Sequence, residues 1–195
     1  MSARLALVEP EETRLLAELK ARYPWAKTTK HGSPDTAKNI KAELTQIWPA
    51  VKFSVVTDHP GSIRVRWTDG PSDKQVEEVV DKYESGHFDG MVDSYEYDRS
   101  AYGKAVDAVL GRVRYVFTVR HTSDALIQKA IDRVAKEYSR TAELDVTVER
   151  FKAGDLFSLT PFEDDRGGMV GYWGFQSLIH RELSKMGMMP VQVTK

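Results

Sequence analysis

The chain has 195 residues, of which 41% are hydrophobic and 29% are charged, and its formal net charge is −1. This balance excludes the composition of a disordered chain and supplies enough apolar side chains for a hydrophobic core. Cysteine is absent, which excludes disulfides, thiolate metal sites and cysteine nucleophiles and fits a reducing cytoplasm.

The first quarter of the sequence predicts two helices joined by a linker. Pro10 and the acidic residues around it suit the first turn of a helix, and Pro24 ends that helix. Residues 24–35 are rich in turn formers and predict the linker. A second helix is predicted over about 36–47, where apolar residues recur at helical spacing.

A β-hairpin with one basic strand is predicted next. Segments 52–57 and 63–67 alternate between apolar and polar residues, and turn formers separate them. Arg64 and Arg66 alternate with apolar residues in the second segment, so we expect them on its outer face. A capping box at Ser72 then opens a helix that Gly86 ends.

The clearest strand pattern lies at residues 112–120. Its apolar residues, among them Tyr115 and Phe117, are expected on the core side, because they alternate with arginines. A short strand is predicted before it, near 95–97, and a long helix after it, over about 122–138.

The last quarter of the sequence is less regular. The alternation at 144–148 predicts a final strand, and a helix is predicted over about 175–186. Glycines and aromatic residues are mixed between these two elements.

Together these elements predict an α+β fold, with an antiparallel or mixed sheet and helices packed on one of its faces. We expect three parts: an N-terminal helix and linker at 1–35, an α+β domain at 36–121, and a C-terminal segment at 122–195. The C-terminal segment holds a helix, a strand and a Gly- and aromatic-rich stretch, and we expect it to pack on the same core.

The small net charge hides a strong asymmetry along the chain. Residues 73–98 contain nine acidic residues and two lysines, a net charge of −7, and residues 99–122 have a net charge of +4. If the two segments fold on different faces, the protein presents an acidic surface and a basic one. Such surfaces steer partners, although solvated faces of this kind also keep a protein soluble.

No motif for catalysis or for cofactor binding is present. Histidines at i, i+4 spacing, a Gly-x-Ser-x-Gly turn and a phosphate-binding Gly-Lys-Ser/Thr loop are all missing. We therefore expect no catalytic residues, no metal and no cofactor. A weaker alternative is a metal-dependent hydrolase that uses the acidic residues of 87–98, with His87 next to Asp89 and Asp93.

The arginines of the predicted strands are the main candidate binding residues. A shared sheet would bring together Arg64, Arg66, Arg112, Arg114 and Arg120. Such a face can bind phosphates or an acidic protein surface. The aromatic residues that would stack on bases are expected on the core side. The sequence therefore predicts phosphate contacts on this face but no base stacking.

Two motifs carry a resemblance to a known family. They are the turn Trp67-Thr68-Asp69-Gly70-Pro71 and the loop Phe88-Asp89-Gly90-Met91, which are flanked by Ile40-Lys41-Ala42-Glu43-Leu44, by the two hairpin strands and by Tyr95-Glu96-Tyr97. Over about residues 36–120 the chain resembles the large polyvalent protein-associated domains, the twenty-ninth family of that series.

The resemblance implies a protein of a phage, plasmid or conjugative element that acts in the cytoplasm of a bacterial host. We expect a non-enzymatic inhibitor of a defence system, of anti-CRISPR or antirestriction type, which binds the bacterial effector complex through its charged surfaces. The alternative is a nucleic-acid-binding accessory factor for phage or plasmid transfer. The oligomeric state is open, and no membrane is expected as a partner, since no apolar run approaches the ~18 residues of a span.

The loop and short strand at 87–98 are the second candidate binding region. A Phe and a Met on a loop must be buried or bind a partner. The residues of this region are His87, Phe88, Asp89, Met91, Asp93, Tyr95, Glu96, Tyr97 and Asp98. The turn at 67–71 is expected to be structural, because Gly70 permits an unusual backbone and Asp69 can bond nearby amides.

Overall fold

The computed structural model describes residues 10–27, 33–91, 93–161 and 174–189. In this part of the chain two compact units are distinguished. The first contains the residues up to Trp67 and those from Lys74 to Val119, and the second contains Thr68–Asp73 and the residues from Arg120 to Met189.

The first unit is built from helices and two small sheets. Its elements are α1 (Glu11–Arg22), α2 (Ser33–Ile47), β1 (Ser54–His59), β2 (Ser62–Thr68), α3 (Asp73–Val80), a 3-10 turn (Asp81–Tyr83), β3 (Gly86–Asp89), β4 (Ser94–Tyr97), α4 (Ala101–Leu110) and β5 (Tyr115–His121). The strand order is β1-β2-β5 in one sheet, and β3 and β4 form a separate ribbon. The predicted α+β fold is confirmed.

Strand β2 is antiparallel to β1 and parallel to β5. The antiparallel register pairs Val55 with Val65 and Val56 with Arg64. At the start of β2 the Gly61 carbonyl accepts from the Tyr115 amide, and at its end the Asp69 amide donates to the His121 carbonyl. Both bonds fit a single parallel register of β2 and β5. Because β2 is antiparallel to β1 and parallel to β5, the three-stranded sheet is mixed.

Apolar side chains from one face of this sheet and from the helices form the core of the first unit. Ile63, Val65 and Trp67 of β2 are buried together with Ile40 and Leu44 of α2, and helices α3 and α4 add valines and leucines to the same cluster. The alternate residues Arg64 and Arg66 are only partly buried. The sheet therefore has a core face and an open face within the first unit.

The second unit has its own hydrophobic cluster. Its helices are α5 (Asp124–Glu137), α6 (Arg140–Glu143), α7 (Val148–Ala153) and α8 (Phe175–Lys185), and they bury residues such as Ile131, Phe151, Leu156 and Ile179. The expected three-part division, including packing of 122–195 on the same core, stays a prediction.

The strand predicted at 144–148 is wrong. Thr147 caps α7 instead, because its side chain accepts a hydrogen bond from the Arg150 amide. Val146 and Val148 are both buried in the cluster of the second unit, although their alternation is also typical of a strand. The alternation covers only three apolar residues, which is too few to specify a strand. The cap at Thr147 and the short helix after it determine the local structure instead.

A buried polar group ties α2 to the 3-10 turn. The buried Glu43 carboxylate accepts from the Tyr83 hydroxyl at 2.8 Å and from Lys82 Nζ at 2.8 Å. Burial, and next to it the charge of Glu43, raise the pKa of Tyr83, so this phenol stays a hydrogen-bond donor.

We expect Glu43→Ala to lower the free energy of unfolding by about 3 kcal/mol, because it leaves a buried phenol without its acceptor and a mostly buried ammonium with only the Val79 carbonyl. Tyr83→Phe, which removes one donor, should cost about 1.5 kcal/mol. Urea unfolding followed by circular dichroism measures both values. Equal stability of wild type and Glu43→Ala would contradict a structural role for this group.

Candidate functional site

The β3–β4 ribbon places three aromatic side chains on one of its faces. Its register pairs Phe88 with Tyr95 and Gly86 with Tyr97, and it pairs His87 with Glu96. Side chains alternate along a strand, so Phe88, Tyr95 and Tyr97 share one ribbon face. His87 and Glu96 lie on the other face, with Nε2 and Oε2 3.6 Å apart.

Tyrosines of this ribbon contact the aromatic residues of β5. The Tyr95 ring is 4.8 Å from Tyr97 and 5.4 Å from Tyr115, centroid to centroid, and both pairs meet edge to face. The Tyr115 ring is stacked on Phe117 at 5.9 Å with an angle of 23° between the planes. We call these four residues, Tyr97, Tyr95, Tyr115 and Phe117, the aromatic strip.

The aromatic strip is accessible to solvent at both of its ends. Tyr97 is 49% exposed and Phe117 is 47% exposed, while Tyr95 and Tyr115 between them are partly buried. The partly buried rings fix the row on the sheet, and the outer rings offer aromatic surface.

Arg114 lies against this row. Its guanidinium carbon is 5.1 Å from the Tyr95 ring centroid and 5.8 Å from that of Tyr97, and its Nη2 donates to the Tyr97 hydroxyl at 2.7 Å. The Tyr95 hydroxyl donates to the Arg114 carbonyl at 2.7 Å. Arg114 is an exposed residue, so a positive charge sits on the strip and faces solvent.

The predicted orientation of Tyr115 and Phe117 is wrong. Val116 packs against the core, while Phe117 points away from it. Before the strand, the amides of Arg114 and Tyr115 both donate to the Gly61 carbonyl. This irregularity adds a residue to the edge of β5, and one extra residue moves every later side chain to the opposite face.

Three of the five predicted basic residues belong to the open face of the first unit. The β2–β5 offset places Phe117 beside Arg64, and Val56 of β1 lies on the other side of Arg64. Arg64 forms an ion pair with Asp58. Arg66 and Arg114 make no ion pair with any residue in the described ranges.

Arg112 has a structural position instead. Its side chain is almost buried, its Nε donates to the Glu84 carbonyl at 2.7 Å, and its Nη1 lies 3.2 Å from the Asp98 carboxylate. Hydrogen bonds from Ser100 chiefly lower the pKa of Asp98, and Arg112 lowers it further. Gly103 leaves room for this pair, since a side chain at that position would overlap both Asp98 and Arg112.

Arg120, in the second unit, is engaged by backbone carbonyls. It donates to Asp69 at 2.9 Å, to Gly70 at 3.3 Å, to Leu183 at 3.0 Å and to Met186 at 2.6 Å. Its burial lowers its pKa. A guanidinium whose donors are used in this way holds the turn and the end of α8, and it has little left for a ligand.

The turn motif at 67–71 is held by burial and by hydrogen bonds. Trp67 is buried in the core of the first unit. Asp69 and Gly70 both have positive φ, and the Asp69 carboxylate accepts from the Ser123 amide at 2.8 Å. Thr68 is exposed and Pro71 is buried. The structural role of this turn stays a prediction.

The turn between β3 and β4 carries the remaining predicted residues. The Asp89 carboxylate accepts from the Met91 amide, Asp93 has a positive φ, and Met91 is 96% exposed. Phe88 is 52% exposed. The binding role of this region stays a prediction.

Within the described residues, no group of three or more His, Asp or Glu side chains is arranged to hold a metal ion. Nor does any described helix combine the length and the apolar character of a membrane span.

Comparison with known proteins identifies one family. Residues 31–123 match the family model described as Large polyvalent protein associated domain 29, which confirms the resemblance expected for about 36–120. This family occurs in polyvalent proteins of mobile elements. The match includes all four residues of the aromatic strip. No curated protein and no solved structure matches the chain.

We expect Gly86→Ala to disrupt the ribbon, because a Cβ at this position would overlap the Glu96 carbonyl of the paired strand. The cost should be about 2 kcal/mol, as for other overpacked sites. Gly90→Ala is the matched control, since a Cβ there meets only the Phe88 ring at ordinary van der Waals distance. Thermal unfolding of both variants measures the difference, and an equal Tm would contradict the close approach.

Proposed function

We propose that this protein is a nucleic-acid-binding accessory factor of a mobile element. The premise is that residues 31–123 match the family model Large polyvalent protein associated domain 29. The observation that carries the proposal is the open face of the first unit, where exposed aromatic rings and arginines occur together. Binding without catalysis is part of the proposal.

The charges on this face favour a polyanion. Arg64, Arg66 and Arg114 project from it. Asp58 pairs with Arg64, and Glu84 accepts from the Val116 amide at β5, so the arginines outnumber these two acidic residues. Phosphate groups are recognised by such arginines, and each phosphate neutralised on a single strand releases counterions. The affinity should therefore fall as salt is added.

We expect fluorescein-labelled single-stranded 30-nucleotide DNA to bind the full chain, with affinity that falls roughly twentyfold between 50 and 200 mM salt if about three phosphates are contacted. The double variant Arg66→Glu, Arg114→Glu should bind at least tenfold more weakly and show a shallower salt dependence. Fluorescence anisotropy measures both.

Lys41→Glu reverses an exposed charge on α2, away from the sheet, and is the matched control. It should bind like the wild type. Absence of binding at low salt, or an equal loss in the control, would overturn the proposal.

An inhibitor of a bacterial defence complex is the second candidate. It is favoured by the exposure of Glu77, Glu78 and Asp81 around α3 and of Asp93 and Glu96 around the ribbon turn. An acidic surface of this kind can occupy a channel built for nucleic acid.

If this second function holds, expression of the protein should raise survival of an incoming plasmid in cells that carry a CRISPR or restriction system. Glu78→Lys together with Asp81→Lys should abolish that protection, because the reversed charges repel a basic channel. Transformation efficiency across a panel of systems is the measurement. No protection in any of them would reject the inhibitor function.

A further inference from the structure

We propose that the aromatic strip binds unpaired bases of single-stranded DNA by stacking, with Arg114 holding the adjacent phosphate. This inference rests on the proposed function and deepens it, because it names the form of nucleic acid and the side chains that select it.

The geometry of the strip suits stacking. Its rings follow one another at centroid distances of 4.8 to 5.9 Å, and the two end rings are about half exposed. Bases in a duplex hide their faces in the helical stack, whereas unpaired bases can lie on exposed rings. A continuous aromatic row therefore favours a single strand over a duplex.

The position of the row on the molecule supports a rigid platform. Tyr95 is anchored through its hydroxyl, which donates to the Arg114 carbonyl and contacts Ser85 Oγ at 3.3 Å. Burial raises the pKa of Tyr95, so the hydroxyl keeps its proton. The strip bridges the ribbon and β5, and both of its ends are in regular strands. Unpaired bases would meet a surface that is already ordered.

The charge beside the rings distinguishes a nucleic acid from other occupants of an aromatic face. Arg114 lies over two of the rings, and Arg64 is the β2 neighbour of Phe117. A row of stacked bases carries its phosphates along one edge, which these cations complement. A proline-rich peptide would use the rings but would gain nothing from the arginines.

Two of the three tyrosine hydroxyls on the strip are already used, which leaves few groups for a ribose hydroxyl. The Tyr97 hydroxyl accepts from Arg114, and the Tyr95 hydroxyl is used by the backbone. Recognition of RNA at a given site depends on such a contact to the 2′-hydroxyl. We therefore assign DNA as the ligand and expect RNA of the same sequence to bind no more tightly.

The test compares a 15-nucleotide oligo(dT), the same length of oligo(U), and a 15-base-pair duplex by fluorescence anisotropy with the full chain. Wild type should bind oligo(dT) at least tenfold more tightly than the duplex. Tyr97→Ala with Phe117→Ala should weaken oligo(dT) binding by tenfold or more, since each base that stacks on an aromatic ring contributes a fivefold to hundredfold factor.

Phe157→Ala, which removes an equally exposed phenylalanine in the second unit, is the matched control and should change nothing. A further variant, Phe117→Trp, keeps an aromatic surface and reports contact directly. Its indole fluorescence should be quenched when oligo(dT) binds, in excess of any change seen in the wild type.

Each outcome separates the two proposals. Equal binding of strand and duplex, unaffected by Tyr97→Ala with Phe117→Ala but weakened by Arg66→Glu with Arg114→Glu, would overturn the stacking inference and leave the proposed function standing. No binding of any nucleic acid would overturn both. Tighter binding of oligo(U) would overturn the assignment to DNA, and binding of a proline-rich peptide in place of DNA would overturn the ligand class.

Discussion

The shared hydrogen bond at Gly61 sets the arrangement of the first unit. Two successive amides, those of Arg114 and Tyr115, donate to this one carbonyl. The extra residue keeps Val113 buried and still turns Val116 toward the core, which leaves Tyr115 and Phe117 on the outer side. Because Tyr115 faces outward, it can meet Tyr95, and the ribbon gains a partner ring on the sheet. One backbone irregularity thus places Tyr115 and Phe117 on the open face and completes the aromatic row.

Most of the fold could be predicted from local sequence patterns. Apolar spacing, caps and turn residues predict α1, α2, α3, α5, α8 and the hairpin, and the arginines of β2 are on its outer side as alternation requires. Helix α4 (Ala101–Leu110) is not among the predicted elements. The ribbon was harder to see, because Gly86–Asp89 is short and its pairing depends on a glycine that lets two backbones approach closely. Residues 144–148 show the opposite problem, since three alternating apolar residues are too few to separate a strand from a capped helical turn.

The candidate site was only partly predictable for the same reason. Alternation identifies which residues share a face, but a bulge reverses the assignment and leaves no clear mark in the sequence. Alternation alone predicts Phe117 in the core, whereas the structure exposes it. Arg112 and Arg120 show a second limit: their charges suggest binding, but their roles are set by carbonyls that are distant along the chain, at Glu84, Leu183 and Met186. Only the tertiary structure distinguishes an arginine that is positioned to bind a ligand from one that donates to backbone carbonyls.

The carbonyl contacts of Arg120 have a consequence for how the polypeptide matures during translation. Its donors are satisfied by the turn at Asp69 and Gly70 and by the end of the last described helix, and the buried residues Phe175, Leu178 and Ile179 come from that same helix. As the ribosome releases the chain from its N-terminus, residues of the first unit emerge early. The second unit can form these contacts only after residues 175–186 have been synthesised, when the end of α8 can meet the Arg120 guanidinium.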